Sequence, residues 1–227
     1  MIVGTDTGVG KTVVGLVLAA ALRRRGVDVA GMKPLESGCA PHPEDARLWS
    51  GLTGVPLEQV CLYALKQPVA PQSAAEAEGV CVDMSRVEAG LSALCHDHER
   101  VFVESAGGLG SPLAPGVLGW HLARQLGVSV LLVGHNRLGT VGQMLVSVEL
   151  LRRLSIPCVG MVLSQTDPQT SGPEVDTHQP LLRQYSAAPL LGLLPYLGQV
   201  PGPEQVEPWA TSQAAALEGQ LDLTPLI

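Results

Sequence analysis

Short apolar runs alternate with longer segments of mixed polarity along this chain, and their spacing predicts its elements. The runs at 27–32, 101–103, 128–133, 157–163 and 190–194 are too short for typical helices and are rich in apolar residues. That is the pattern of parallel strands buried on both faces. Ile2-Val3 reads as the clipped end of a first strand. Between the runs, residues 11–25, 117–126, 141–154 and 175–185 carry helical patterning. Strand and helix therefore alternate, which predicts an α/β fold built on a doubly wound, mainly parallel sheet.

Three stretches depart from the alternation. Residues 58–83 are irregular, and Pro68 and Pro71 predict an extended passage across the surface. Residues 167–173 combine Pro, Gly, Thr and Ser without periodicity and predict a loop. The segment after Pro201 is Pro-rich, then weakly helical near 212–217, so residues 200–227 read as an extension that wraps the domain or meets a partner. No internal repeat is visible.

Composition narrows the class. With 46% apolar and 15% charged residues, the 227 residues suit a single domain over 1–227. A net charge of −7 argues against a nucleic-acid-coating or polybasic membrane surface, so an anionic ligand must be held locally. The five cysteines form no C-x-x-C pair, which favours a reduced, cytoplasmic protein over a disulfide scaffold. The longest clean apolar stretch, 16–22, is far short of a membrane span, and no basic leader precedes it.

Candidate chemistry begins at GTDTGVGKT, residues 4–12, which follows the first strand and opens a helix. Glycines at 4, 8 and 10 let backbone N–H groups converge on phosphate oxygens, and the helix N-terminus adds partial positive charge. Lys11 would reach the terminal phosphates and Thr12 would place its hydroxyl on Mg²⁺, while Gly8, Val9, Gly10 and Val13 complete a nucleotide cradle. The usual phosphate loop has its first glycine one residue later, where this chain has Thr5.

Lysine is rare here, with Lys11, Lys33 and Lys66 against eleven arginines. Lys33 ends the run at 27–32, and strand C-termini are where open α/β sheets bind ligands. A solvated strand-end lysine is the bland alternative. Glu104 follows the run at 101–103 and precedes Ser105-Ala106-Gly107-Gly108, whose small side chains allow backbone to approach phosphate. Asp45 is either a further metal ligand or the cap of a helix starting there. Thr12, Asp45 and Glu104 suffice for Mg²⁺, which takes one or two carboxylates plus phosphate oxygens and water. His96-Asp97-His98 reads as a solvated turn, Ser105 lacks the glycine context of a nucleophile elbow, and Trp49, Trp120 and Trp209 read as packing residues.

GTDTGVGKT, MKPLESG (32–38), PEDA (43–46), APQSAAEAEG (70–79), VESAGG (103–108) and VGHNRLGTVGQ (133–143) stand in an order and spacing that resembles the dethiobiotin synthetases. The likeness runs from about Ile2 to Tyr196, and the early glycine belongs to that family's loop. The resemblance implies a P-loop NTPase-like fold and a homodimer with its site near the subunit interface. It also implies ATP- and Mg²⁺-dependent closure of 7,8-diaminononanoate with CO₂ to dethiobiotin, through a carbamate and a carbamic–phosphoric anhydride. Lys11 and Lys33 would sit beside the phosphoryl group and carbamate, with Thr7 and Ser37 as hydrogen-bond donors. Ser164 and Pro195 would lie by the base, and Lys33, Ser37, Gly139, Thr140, Val141 and Gly142 by the substrate.

Several positions depart from the family pattern. Gly142-Gln143 stand where Asn-His is usual, Ser164-Gln165 where Asn-Asp reads the base, Ser105 where glycine is usual and Gln72 where histidine is common. Two other readings share the loop. One is a partner-regulated nucleotide-switch ATPase, against which Asp6 stands where such switches carry a signature lysine. The other is a paralogue with a drifted substrate site.

Overall fold

The computed structural model describes residues 1–169 and 171–226, so Thr170 of the expected 167–173 loop and Ile227 of the extension lie outside the described residues. The chain runs β1 (Ile2–Gly4), α1 (Lys11–Arg24), β2 (Val29–Met32), β3 (Leu35–Ser37), α2 (Glu44–Thr53), α3 (Leu57–Val60) and β4 (Tyr63–Leu65). It continues through α4 (Pro71–Glu78), α5 (Met84–Asp97), β5 (Arg100–Gly108), β6 (Pro112–Ala114), β7 (Val117–Leu118) and α6 (Gly119–Gln125). The last part holds β8 (Val130–His135), α7 (Thr140–Arg153), β9 (Cys158–Ser164), α8 (Pro173–Tyr185), β10 (Leu190–Leu194) and α9 (Val206–Ala216).

Six strands form a parallel sheet in the order β10-β9-β8-β1-β5-β2. The shortest of the continuous apolar runs, β1, is thus central, with β5 on one side and β8 on the other. Chain order reverses across it, which is where ligands bind in open α/β sheets. Alternate residues face opposite layers: Leu131 and Val133 join the cluster under α1, α2 and α9, whereas Leu132 joins Met144, Met161 and Leu182 under α7 and α8. Helices therefore cover both faces, as the unbroken apolar strands require.

The structure corrects several boundaries. β5 does not stop at 103 but continues to Gly108, so Glu104 lies inside a strand rather than at its end. Its register against β1 shifts between the pairs Ile2↔Glu104 and Gly4↔Gly108, leaving the small residues after Glu104 to bulge beside the loop that follows β1. Residues 58–83 are more ordered than expected. Parallel pairing of β3 with β4, and α4 started by Pro71 in its first turn, organise this passage. Residues 117–126 divide into β7 and α6, and His96-Asp97 close helix α5 with His98 as its C-cap.

The C-terminal helix is longer than the 212–217 expected and starts at Val206. Val206, Ala210 and Ala214, four residues apart, are buried in the core cluster shared with α1 and α2. No helix among the described residues is long and apolar enough to cross a membrane.

All five cysteines are free. Burial pushes the thiols of Cys39 and Cys158 up to about 11 and that of Cys61 up to about 12, while Cys81 and Cys95 are exposed. A thiol-exchange reagent at neutral pH is expected to label the exposed Cys81 and Cys95 rapidly, the half-buried Cys61 and Cys158 more slowly, and the buried Cys39 most slowly. Equal rates for all five, followed by mass spectrometry of the labelled peptides, would contradict this packing.

Candidate functional site

The loop from β1 to α1 crosses the C-terminal edge of the sheet at its centre. Gly8 and Gly10 take φ of 73° and 90°, in the left-handed region that side-chain-bearing residues avoid. Gly10 caps α1 without a side-chain hydrogen bond, and the first turn of α1 holds no acidic residue. Its N–H groups are thereby left for an external anion. Lys11 Nζ donates to the Asp6 carbonyl at 3.2 Å, and burial outweighs the attraction of Glu104 to hold its ammonium below the ordinary lysine value.

Around this loop lies a cleft of about 490 Å³ lined by Thr7, Gly8, Gly10, Lys11, Thr12, Val13, Lys33, Ser37, Asp45 and Glu104, all picked out from sequence. At its floor Glu104 has no solvent exposure. Its Oε1 accepts from Thr12 Oγ1 at 2.8 Å and from Lys33 Nζ at 2.7 Å, and its Oε2 accepts from Trp49 Nε1 at 2.7 Å. Lys33 Nζ also donates to Asp45 Oδ2. Lys33 is therefore not a solvated strand-end residue: its side chain is 5% exposed. Burial works against its charge, but Glu104 and then Asp45 outweigh burial and hold the ammonium above the ordinary lysine value.

Asp45 does not cap α2. Pro43 is the N-cap, and the open N–H groups of Asp45 and Ala46 donate to the buried Glu36 carboxylate at 3.0 and 2.9 Å. The Asp45 carboxylate is left to face the cleft, where burial alone would raise its pKa but Lys33 holds it below the usual range. Glu36 itself is pushed up by burial, an effect Lys33 partly offsets.

A hydroxyl and two carboxylates thus converge within reach of the phosphate loop. These hard oxygen donors fit Mg²⁺ completed by phosphate oxygens and water. No group of three His, Cys, Asp or Glu side chains able to hold a metal occurs among the described residues, and such a cation needs none.

Other expected residues stand elsewhere. Val9 is 2% exposed and belongs to the core, so it offers the cleft no side chain. Ser164 is buried beneath the loop, its Oγ 2.4 Å from where a Cβ on Gly10 would lie. Pro195 follows β10, next to the strand carrying Ser164, and does not line the cleft. Gly139, Thr140, Val141 and Gly142 stand apart at the start of α7. Like α1, that helix has a left-handed glycine cap, Gly139, with no side-chain hydrogen bond, and the buried Thr140 hydroxyl finds no partner among the described residues.

Sequence reasoning missed Glu36, Leu48, Thr166 and Val200 in the cleft lining, and Trp49 behind it. Glu36 stands in MKPLESG between Lys33 and Ser37, and that placement could have flagged it. Nothing local marks the others.

A family model described as an AAA domain matches residues 1–204. The ATP-dependent dethiobiotin synthetase BioD of Anaeromyxobacter dehalogenans is 42% identical over 198 residues, covering 86% of this chain and 88% of that protein. Those of Aromatoleum aromaticum and Bacillus velezensis are 35% and 33% identical, covering 86% and 88% of this chain and 88% and 87% of theirs. Among solved structures, the septum-site-determining protein MinD of Pyrococcus horikoshii complexed with Mg-ADP aligns with a TM-score of 0.55 at 16% identity, over 96% of this chain and 94% of that one. A ParA-family ATPase of Chlorobium tepidum aligns at 0.52 and 13%, over 99% and 93%. At such identities these two structures establish the doubly wound, P-loop NTPase-like fold alone.

Removing Lys33 would leave Glu104 buried without the cation that donates to it. Lys33→Ala is expected to lose about 3–5 kcal/mol in urea unfolding, and adding Glu104→Gln to recover much of it. The depressed Asp45 stabilises above its ordinary value and loses that effect as pH falls, whereas the raised Lys33 stabilises below its ordinary value. The difference between wild type and Lys33→Ala should therefore shrink as pH falls through the carboxylate range and again as it rises past about 10.5.

Proposed function

The chain belongs to the ATP-dependent dethiobiotin synthetases, and on that premise we propose that it closes 7,8-diaminononanoate with CO₂ to dethiobiotin, forming two C–N bonds as ATP is split. The observation that carries this reading is the meeting of Lys11, Thr12, Lys33, Asp45 and Glu104 in one cleft. Phosphoryl transfer to a carbamate gathers anions at one point, and that cleft gathers two ammonium groups, a metal-binding oxygen set and an open helix N-terminus there.

In this reading the amides from Gly8 to Val13 hold the phosphates and Lys11 steadies the transferred group. Thr12, Asp45 and Glu104 would hold Mg²⁺, which supplies neutralisation of phosphate charge. Lys33 faces the carbamate with its proton secure, because Glu104 and Asp45 keep it charged. It acts as an electrostatic clamp rather than a base. Thr7 and Ser37, both on the cleft wall, donate to the reacting oxygens and set the attacking amine in line. Ser164 and Pro195, at the ends of adjacent strands, would flank the base, with Thr166 beside them.

The amides of Gly139, Thr140, Val141 and Gly142 would take the substrate carboxylate. The uncapped start of α7 supports this. These residues stand outside the cleft of their own chain, and Leu138 and Val146 beside them are 80% and 71% exposed, which supports a homodimer whose partner completes the substrate site. We take residues 1–227 to act as one domain, its C-terminal segment packed on α1, in the cytoplasm, without nucleic acid or membrane as partners; the net charge and free cysteines favour this.

Phosphate release with Mg²⁺ and ATP is expected to require both diamine and bicarbonate, with dethiobiotin detected by mass. Hydrolysis independent of both would instead favour the nucleotide-switch reading. Lys33→Ala, assayed below its lowered unfolding midpoint, should cut kcat by at least about 100-fold while ADP still binds. Gly142 has open space around its Cα, so Gly142→Asn fits without strain and is expected to lower KM for the diamine. An unchanged KM would mean that the backbone already suffices.

A further inference from the structure

Trp49 was expected only to fill space, yet its surroundings are built for one orientation of its ring. The residue is fully buried on α2 and stacks on Phe102, with centroids 6.0 Å apart and planes 23° from parallel. Two neighbours that would block it are glycines. A Cβ on Gly31, within β2, would come 2.2 Å from the ring, and one on Gly15, inside α1, would come 2.6 Å from it. Glycine is unfavourable inside a helix and inside a strand, so two elements give up local preference to admit this indole. In that slot Nε1 points at Oε2 of Glu104, 2.7 Å away.

A slot that served packing alone would need no donor at that spot. The consequence falls on Glu104. With Oε2 occupied by the indole N–H, the carboxylate is held against rotation and only Oε1 is turned toward Thr12 and Lys33. We propose that Trp49 is a positioning residue that fixes Glu104 as a single-oxygen ligand for the nucleotide-bound cation. This rests on the reading of Glu104 as a metal ligand. Without the N–H, Oε2 is buried with no donor and the carboxylate is free to turn, so the cation loses a preorganised oxygen.

The test is Mn²⁺ binding to the ADP complex, followed by electron paramagnetic resonance, in wild type, Trp49→Phe and Glu104→Gln. Trp49→Phe is expected to weaken Mn²⁺ by about 10- to 100-fold, the usual effect of losing a partner that orients a metal ligand. Its affinity for ADP in a chelator should stay at the wild-type value, which a general packing defect would not allow. If Trp49→Phe binds Mn²⁺ as wild type does while Glu104→Gln does not, the positioning role is overturned and the metal reading stands. If Glu104→Gln also binds normally, the metal reading itself falls.

Should Trp49→Phe fail to fold, the wild-type protein carries the test through its ¹⁵N-labelled indoles, assigned with Trp120→Phe and Trp209→Phe. The Trp49 N–H resonance is expected downfield, to move upfield in Glu104→Gln, and to shift when Mg²⁺ joins the ADP complex. A resonance unmoved by either change would overturn the proposal.

Discussion

A carboxylate removed entirely from water must find donors for its oxygens, and Glu104 imposes that demand on everything around it. Its partners come from three places far apart in the chain: Thr12 on α1, Lys33 after β2 and Trp49 on α2. One strand residue therefore fixes two helices and a strand end relative to the sheet. Because Lys33 also reaches Asp45, the network extends to the first turn of α2 without a break. Such a network is stabilising only when complete, since each unpaired member would be costly in a medium of low polarity.

The helix N-termini around the cleft divide the electrostatic work. At α2, Glu36 accepts the open N–H groups and takes up the helix's partial positive charge, leaving the Asp45 side chain free. At α1 no side chain does so, and the same kind of partial charge stays available to a phosphate. Both helix starts border one cleft, so the open end of α1, the ammonium groups of Lys11 and Lys33 and the oxygens of Thr12, Asp45 and Glu104 come together there. At α7 a third open N-terminus stands outside the cleft, suited to an anion of its own.

Much of the fold could be read along the chain. Apolar runs located five of the six sheet strands and Ile2-Val3 marked the sixth, because strands buried on both faces must be apolar throughout. The length of β5 escaped this reading. Glu, Ser and Gly at 104–107 break the apolar pattern, and only pairing with β1 keeps them in the strand. β3, β4 and α4 escaped it because elements of three to eight residues hold their shape through neighbours rather than through their own periodicity.

The sequence by itself picked out the phosphate loop, the two lysines of the cleft and the candidate metal oxygens, because glycine spacing, rare residue types and the ends of apolar runs are local properties. Only the tertiary structure decided what those residues are bonded to. Trp49 lies 55 positions from Glu104, and Lys33 lies 71 positions from it, so neither contact leaves a local pattern. Glu36 relieves Asp45 of capping duty for the same reason: the fold brings two backbone N–H groups to a carboxylate that the chain passed nine and ten residues earlier. Periodicity records which face of an element is buried, whereas partnership between buried polar groups is set by how the elements are packed.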